Sequence, residues 1–199
     1  AKLKGTKGLV QGMSYRTYSD LFEEPGPPTA PFQGGFGLMN PEGIRKPSWF
    51  AYNYLAALRG KEIPSTDNFV LASVDGGRIA ALVWDFTQPV QPTSNRSYFT
   101  KVQPTADAPG AALSLAGLKP GRYRLKTQRT GFRANDAYTA YIELGMPKSL
   151  TPDQVGKLQA LTADRPEIDR TITVGKDGVA RLDFALRQND LVLVTLEPA

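Results

Sequence analysis

The sequence predicts a mainly β protein in which a β-sandwich follows one strand, a long loop and one helix. Of the 199 residues, 41% are hydrophobic, which suffices for the core of one domain or slightly more. Beyond residue 61, short apolar runs alternate with turn residues, a pattern typical of sandwiches. Directly before residue 61, the apolar residues recur with the period of a helix. We therefore expect two units, residues 1–60 and residues 61–199.

The first unit is predicted from three successive patterns. Residues 9–18 have strand-like content, and residues 19–46 hold many Gly and Pro residues with little periodicity. A connection of that length is uncommon unless it is functional or disordered. Residues 47–59 are predicted to form a helix that begins at a proline and stops at a glycine, with its apolar arc formed by Phe50, Tyr54 and Leu58.

The second unit is predicted to be strands with one inserted helix at about residues 151–163. A hairpin is indicated by Asp75-Gly76-Gly77, between strands at residues 69–73 and 78–86. The helix should begin with a capping box from Thr151 to Gln154, with proline at its first position. The remaining strands are expected at residues 97–102, 111–115, 121–130, 170–174, 179–186 and 190–196.

Composition excludes several classes of chemistry. The sequence contains no cysteine and no histidine. Thiolate nucleophiles, thiolate or histidine metal sites and a Ser-His-Asp triad are therefore excluded. No apolar run reaches the length of a membrane span, so we expect no membrane partner. The sequence favours neither the cytoplasm nor the periplasm or secretion as its compartment.

The net charge of +5 raises the possibility of a nucleic-acid partner. In the densest basic stretch, the first three basic residues alternate with apolar or small residues, which is typical of a half-buried strand with a solvated basic face. No nucleic-acid motif accompanies it, so we predict no nucleic-acid partner and rank such a module below the other hypotheses. The stretch consists of Arg122, Arg124, Lys126, Arg129 and Arg133, of which the first three alternate with Tyr123, Leu125 and Thr127.

One run of the first unit carries the chemistry expected of sugar binding. Aromatic faces pack against the C–H faces of sugars, and carboxylates accept hydrogen bonds from sugar hydroxyls. A strand, a turn and a packed loop are the purely structural alternative. The run reads Ser14-Tyr15-Arg16-Thr17-Tyr18-Ser19-Asp20, then two residues, then Glu23-Glu24, and later Gln33-Gly34-Gly35-Phe36-Gly37.

This run resembles glycoside hydrolase family 39, the β-xylosidases. There the segment typically reads Ser-Tyr-Trp-Thr-Phe-Ser-Asp, two residues, Glu-Glu, and then His-Gly-Gly-Phe-Gly. The similarity continues more loosely through Asn135-Asp136-Ala137-Tyr138 to the end of the chain. It implies the C-terminal part of such an enzyme: the final βα unit of a TIM-type barrel followed by the β-sandwich domain. In a barrel, the long loop would lie at the C-terminal face, where active sites are built.

The resemblance implies a retaining hydrolase that removes terminal β-linked xylose from xylo-oligosaccharides without a cofactor or metal. Such enzymes need two carboxyl groups across the scissile bond. The family supplies them from earlier barrel strands, typically with an Asn-Glu dipeptide, which is absent from these 199 residues. We therefore predict no catalytic residue in this chain, a substrate-binding role for Glu23, Glu24 and Phe36, and a missing barrel segment as a partner.

Two departures from the family pattern affect the binding site. Arg16 stands where the family has a pocket-lining Trp, which replaces an aromatic wall with a charge. We retain Arg16 as a substrate-binding candidate. Gln33 stands where His is usual, a milder change because Gln keeps a donor and an acceptor.

A freestanding β-sandwich that binds carbohydrate or a protein partner is the alternative function. Its sugar platform would need exposed aromatic residues on the strands, and by residue type Trp84 and Tyr123 are the best candidates. Their apolar neighbours favour core packing instead. Because a lone barrel strand and its helix lack neighbours, we also expect residues 1–60 to be poorly ordered, self-associating or docked on the sandwich, and residues 63–199 to fold by themselves.

Overall fold

The computed structural model describes residues 2–6, 8–21, 26–87 and 99–199. Its helices are α1 (Lys2–Gly5), α2 (Pro47–Ala56), α3 (Ala137–Glu143) and α4 (Pro152–Leu161). Its strands are β1 (Lys61–Ile63), β2 (Val70–Asp75), β3 (Arg78–Trp84), β4 (Asp107–Leu115), β5 (Gly121–Thr130), β6 (Ile168–Val174), β7 (Ala180–Arg187) and β8 (Leu191–Pro198).

The strands form two antiparallel sheets, which confirms the mainly β prediction. The larger sheet has six strands in the order β1-β2-β3-β8-β5-β6, and the smaller consists of β4 and β7. The central pair, β3 and β8, is held in register by Leu82 opposite Leu193. Strands β6, β7 and β8 follow one another in the chain but alternate between the sheets, as sandwich strands do.

The main core lies between the two sheets. Ala81, Leu125 and Val194 face inward from the large sheet and are almost fully buried. Leu182 and Leu186 of β7 cover them from the small sheet. In β5, burial alternates along the strand, with Tyr123, Leu125 and Thr127 buried and Arg122 and Arg124 exposed. The predicted solvated basic face is confirmed.

Helix α2 packs on the other face of the large sheet. Phe50 and Tyr54 are fully buried there against Ala80, Leu82 and Leu193. Of the three states expected for the first unit, docking on the sandwich is therefore the one that this helix adopts. The face of β3 and β8 that points away from the sandwich is itself apolar, and it buries the apolar arc of the helix.

A third cluster joins the long loop to α3 and α4. Ile44 is fully buried beside Tyr141 of α3 and Leu158 of α4, and the ring of Phe32 lies 5.0 Å from that of Tyr141. The predicted capping box is confirmed, because the side chain of Thr151 accepts from the backbone of Gln154 and the reverse bond also forms. Helix α3 was not predicted, since it spans only seven residues.

Three further differences separate the structure from the prediction. Residues 9–18 form no strand, and their neighbourhood has a single parallel bridge, Ser19 to Met39. Within the described part of the predicted strand at residues 97–102, no strand forms, and the carbonyl of Phe99 accepts from Tyr138 instead. Strand β1 was missed.

The hairpin between β2 and β3 is confirmed, with positive φ at both Gly76 and Gly77.

Candidate functional site

The Gly-rich loop at residues 34–37 is held by an ion pair beneath it. Nζ of Lys46 lies 2.5 Å from Oδ2 of Asp20, whose side chain is 1% exposed. The same Lys46 donates to the carbonyl of Gly35 at 2.9 Å, and Oδ1 of Asp20 accepts from the backbone N–H of Gly37 at 2.6 Å. Each charged group therefore also holds a peptide group of the loop, which satisfies polar atoms that burial would otherwise leave unpaired.

Tyr15 provides a third attachment. Its hydroxyl donates to the carbonyl of Phe36 at 2.8 Å, and its ring lies 5.1 Å from that of Tyr52 on α2. Burial raises the pKa of Tyr15, with a smaller contribution from Tyr52, so its hydroxyl remains a donor at neutral pH. Three consecutive residues of the loop are thus bound through their backbones, while the side chain of Phe36 is 69% exposed.

Backbone bonds fasten the base of the loop. The backbone N–H of Asp20 donates to Met39 and that of Lys46 donates to Leu38, so three segments of the first unit are tied together. Asn40 is fully buried and its Oδ1 accepts from the N–H of Ile44 at 2.7 Å. These contacts place the start of α2 directly beneath the loop.

Gly37 is required by the closeness of Asp20. A Cβ at this position would lie 2.5 Å from the backbone N and Oδ1 of Asp20 and from the backbone C of Ser19. Any larger residue would push the carboxylate away from the loop. The glycine of the motif is therefore explained by packing and not by its φ angle, which is not positive.

The predicted site residues have different outcomes. Glu23 and Glu24 lie outside the residues that the structure describes. Arg16 and Phe36 are both exposed, and Phe36 is on the loop just described. Gln33 is used inside the loop, since its Oε1 accepts from the backbone N–H of Thr29 at 2.9 Å.

Sequence reasoning missed three supporting residues, Tyr15, Asp20 and Lys46. The first two belong to the run from Ser14 to Asp20, for which the resemblance implies no binding role at Tyr15 or Asp20. Lys46 stands directly before the predicted first residue of α2, and no local pattern links it to Asp20.

A second polar cluster joins α2 to the sandwich. The hydroxyl of Tyr54 lies 2.5 Å from Oδ1 of Asp164, which also accepts from Nδ2 of Asn135 at 2.9 Å. Gln128 of β5 donates to the other carboxylate oxygen at 2.8 Å. Burial raises the pKa of Asp164 against the lowering effect of these bonds, and burial followed by the bond to Asp164 raises the pKa of Tyr54. With all its members bonded, this cluster has the character of a structural joint.

Ion pairs occupy several of the basic residues that raised the nucleic-acid hypothesis. Arg124 forms two parallel bonds with Asp169, at 2.8 and 2.9 Å. Arg129 bonds to Glu167 at 2.8 Å and to the fully buried Asp190. The positive charges of Arg124 and Arg129, on opposite faces of β5, are therefore each balanced locally by carboxylates.

The two aromatic residues considered as a sugar platform are in cores. Trp84 is 7% exposed and Tyr123 is 6% exposed, and the hydroxyl of Tyr123 donates to the carbonyl of Lys119. Among the described residues, no group of three acidic side chains is arranged to hold a metal ion. In the same part of the chain, no helix has the length and apolar content needed to cross a membrane.

The described chain combines a β-sandwich with a bound loop that carries an exposed aromatic ring, and comparison with known families identifies its class. The model of the glycosyl hydrolases family 39 matches residues 3–180. The chain belongs to this family.

Two solved structures are closely similar. One is a family 39 enzyme from Xanthomonas axonopodis pv. citri, with 55% identity, a TM-score of 0.96 and coverage of all of this chain and 39% of that one. The other is a monomeric β-xylosidase from Caulobacter crescentus CB15, with 56% identity, a TM-score of 0.95 and coverage of 99% of this chain and 40% of that one.

A curated relative extends the similarity to greater sequence distance. The β-xylosidase of Geobacillus stearothermophilus is 25% identical over 188 residues, which cover 94% of this chain and 34% of the relative. The chain thus spans between a third and two fifths of the length of these three proteins.

Proposed function

We propose that this chain is the C-terminal part of a retaining β-xylosidase that removes terminal β-linked xylose from xylo-oligosaccharides. In this proposal residues 1–60 are the closing part of a glycosidase barrel and residues 61–199 are its accessory sandwich. The chain supplies part of the sugar-binding site, and the catalytic carboxylates come from a barrel segment outside these 199 residues. The reaction uses neither a metal nor a cofactor.

The loop that carries Phe36 is the single observation on which this proposal depends. A loop whose backbone is bound at three consecutive residues loses little conformational entropy when a ligand binds. Its exposed ring has a face that can pack on the C–H face of xylose. Arg16, Glu23 and Glu24 complete the proposed substrate-binding set, with the carboxylates accepting from sugar hydroxyls.

The positions of other carboxylates support a catalytic pair outside the chain. Retaining hydrolysis needs two carboxyl groups about 5–5.5 Å apart across an open site. Asp20 is paired with Lys46, Asp164 accepts from three side chains, and Asp190 is buried beside Arg129. These acidic groups are engaged in holding the fold together.

An apolar strip on the first unit supports the missing partner. Leu9, Met13, Tyr18 and Leu21 are each more than half exposed, along a segment that forms no strand. Exposed apolar area of this kind marks an interaction surface. We propose that the barrel segment covers it, with residues 9–18 pairing as a strand only in its presence.

The test compares the isolated chain with a hybrid. In the hybrid, this chain replaces the matching 40% of the Caulobacter crescentus β-xylosidase. With an aryl β-xyloside as substrate, the isolated chain should show no turnover, since accelerations of about 10⁶-fold or more require the catalytic carboxylates. The hybrid should be active and should retain the anomeric configuration.

Two results would contradict the proposal. Turnover by the isolated chain that is abolished by Glu23→Gln or Glu24→Gln would make these residues catalytic. The second result comes from the isolated chain, without the rest of the hybrid. If its residues 61–199 bound xylo-oligosaccharides saturably, and replacing Phe69 or Phe86 abolished that binding, the freestanding carbohydrate-binding sandwich would be favoured.

A further inference from the structure

The peptide groups on either side of Phe36 are held by two oppositely charged side chains that also hold each other. Lys46 binds the carbonyl of Gly35, Asp20 binds the N–H of Gly37, and the two charges lie 2.5 Å apart. The side chain of Asp20 is 1% exposed and that of Lys46 is 15% exposed. This is an unusual use of buried charge, because desolvating an ion pair costs free energy that an apolar pair would not cost.

We propose that Asp20 and Lys46 are positioning residues that set the place and angle of the Phe36 ring at the sugar site. The inference rests on the proposed function of Phe36 and extends it to residues that do not touch the sugar. Removing either charge frees one peptide group of the loop and leaves the other charge buried without its partner. The ring then samples several positions, and substrate binding weakens while the chemical step is unaffected.

The geometry favours positioning over general stability. The two loop peptides that the pair binds flank the one exposed ring, so the pair acts on the backbone that carries that ring. The contact of Tyr15 with the carbonyl of Phe36 between them completes a set of three successive backbone attachments. Gly37 leaves no space for a Cβ, so the loop and the carboxylate are fitted to each other.

A first experiment needs no activity and uses this chain. Backbone amide hydrogen exchange is measured for Lys46→Met, Lys46→Arg and the unmodified protein. Loss of the Lys46 charge frees the Gly35 carbonyl and leaves Asp20 without its ion-pair partner, so the loop should open more often. The Gly37 amide, which Asp20 binds, should therefore exchange at least about tenfold faster in Lys46→Met, with partial rescue in Lys46→Arg. The matched control is Lys157→Met, which breaks the exposed pair with Asp153 and should leave Gly37 unchanged. Unchanged exchange in a folded Lys46→Met protein would overturn the inference.

A second experiment uses a double-mutant cycle in the hybrid enzyme with an aryl β-xyloside. Phe36→Ala and Lys46→Met should each raise KM by about fivefold with kcat nearly unchanged, and the double variant should be no worse than Phe36→Ala. Multiplied effects in the double variant would show that Lys46 does not act through Phe36 and would overturn the inference alone. A normal KM in Phe36→Ala would instead overturn the proposed role of Phe36, and this inference with it.

A further variant keeps the test decisive if Lys46→Met does not fold. Asp20→Asn retains an Oδ1 acceptor for the Gly37 amide and removes the charge that faces Lys46. It should give a smaller rise in KM that is also absent from the Phe36→Ala background. If Asp20→Asn raised KM equally in the unmodified and the Phe36→Ala hybrid, Asp20 would not act through Phe36.

Discussion

The hydroxyl of Tyr54 lies 2.5 Å from Oδ1 of Asp164, across 110 positions of sequence. This bond joins α2 of the first unit to the connection between α4 and β6 of the second. Asn135 and Gln128 donate to the same carboxylate, so the joint binds four segments together. The two units predicted from the sequence are therefore packed and hydrogen-bonded to each other in this chain.

Replacing Tyr54 by Phe should destabilise the protein by about 1–3 kcal/mol, because the buried carboxylate of Asp164 loses a donor. Urea denaturation followed by circular dichroism measures the change. Tyr52→Phe is the matched control, since Tyr52 is 42% exposed on the same helix, and it should stay within about 0.5 kcal/mol of the unmodified protein. Equal losses in the two variants would show that the joint with Asp164 contributes little.

Alkaline pH should destabilise the protein through the same residue. The pKa of Tyr54 is raised in the folded state, so its contribution is complete below the unfolded pKa of about 10 and is lost as pH rises above it. Each such group contributes a slope of about 1.4 kcal/mol per pH unit. Tyr15, Tyr138 and Tyr141 have raised pKa values as well, so the full slope combines several groups.

The contribution of Tyr54 is isolated by comparing variants. Between pH 10 and pH 11.5, the unfolding free energy of Tyr54→Phe should fall less steeply than that of the unmodified protein. The difference in slope should approach about 1.4 kcal/mol per pH unit, because the variant lacks one titrating group. Parallel curves for the variant and the unmodified protein would mean that Tyr54 ionises as freely in the folded state as in the unfolded one.

Gly37→Ala should disrupt the loop, although it adds only one methyl group. The added Cβ would lie 2.5 Å from Asp20, and relieving that overlap should cost about 1–3 kcal/mol. Thermal unfolding measures the loss. Gly12→Ala is the control, because a Cβ there has no atom within 4 Å. A fully stable Gly37→Ala protein would show that the loop can move away from Asp20 freely.

In the hybrid enzyme, Arg16→Trp should strengthen xyloside binding by restoring the aromatic wall typical of the family. An aromatic contact of about 0.5–1.5 kcal/mol corresponds to a roughly two- to twelvefold lower inhibition constant for xylose. Arg16→Leu is the control, since it removes the charge without adding an aromatic face. An unchanged constant in Arg16→Trp, or equal gains in both variants, contradicts a pocket-wall role for position 16.

Limited trypsin digestion should begin after Arg16, in the exposed segment that forms no strand. Cleavage after Arg45 should be slow, because Arg45 is bonded to the carbonyl of Thr162 and α2 is docked on the large sheet. Phe50→Ala should release α2 and expose the bond between Arg45 and Lys46, whereas Tyr52→Ala should not. Rapid early cleavage after Arg45 in the unmodified protein would contradict the docked arrangement of the first unit.

The sequence by itself determined the elements whose signals are local. The capping box of α4, the two-glycine hairpin between β2 and β3, and the alternating faces of β5 each depend on residues within a few positions of one another. The motif around Gly34 to Gly37 also carried the family resemblance. Such patterns act through neighbouring backbone and side-chain atoms, so they can be interpreted without knowing the fold.

The tertiary structure decided which surfaces meet. A strand-like composition at residues 9–18 was not enough to form a strand, because a strand needs a hydrogen-bonding neighbour along its length. The backbone N–H groups of Leu38 and Met39 donate to the carbonyls of Thr17 and Tyr18, at the end of the segment. The cover over α2, the pairing of Asp20 with Lys46 and the bond from Tyr54 to Asp164 join residues far apart in sequence. Their energies come from burial and from satisfying buried polar groups, and both depend on the packed arrangement of the whole chain.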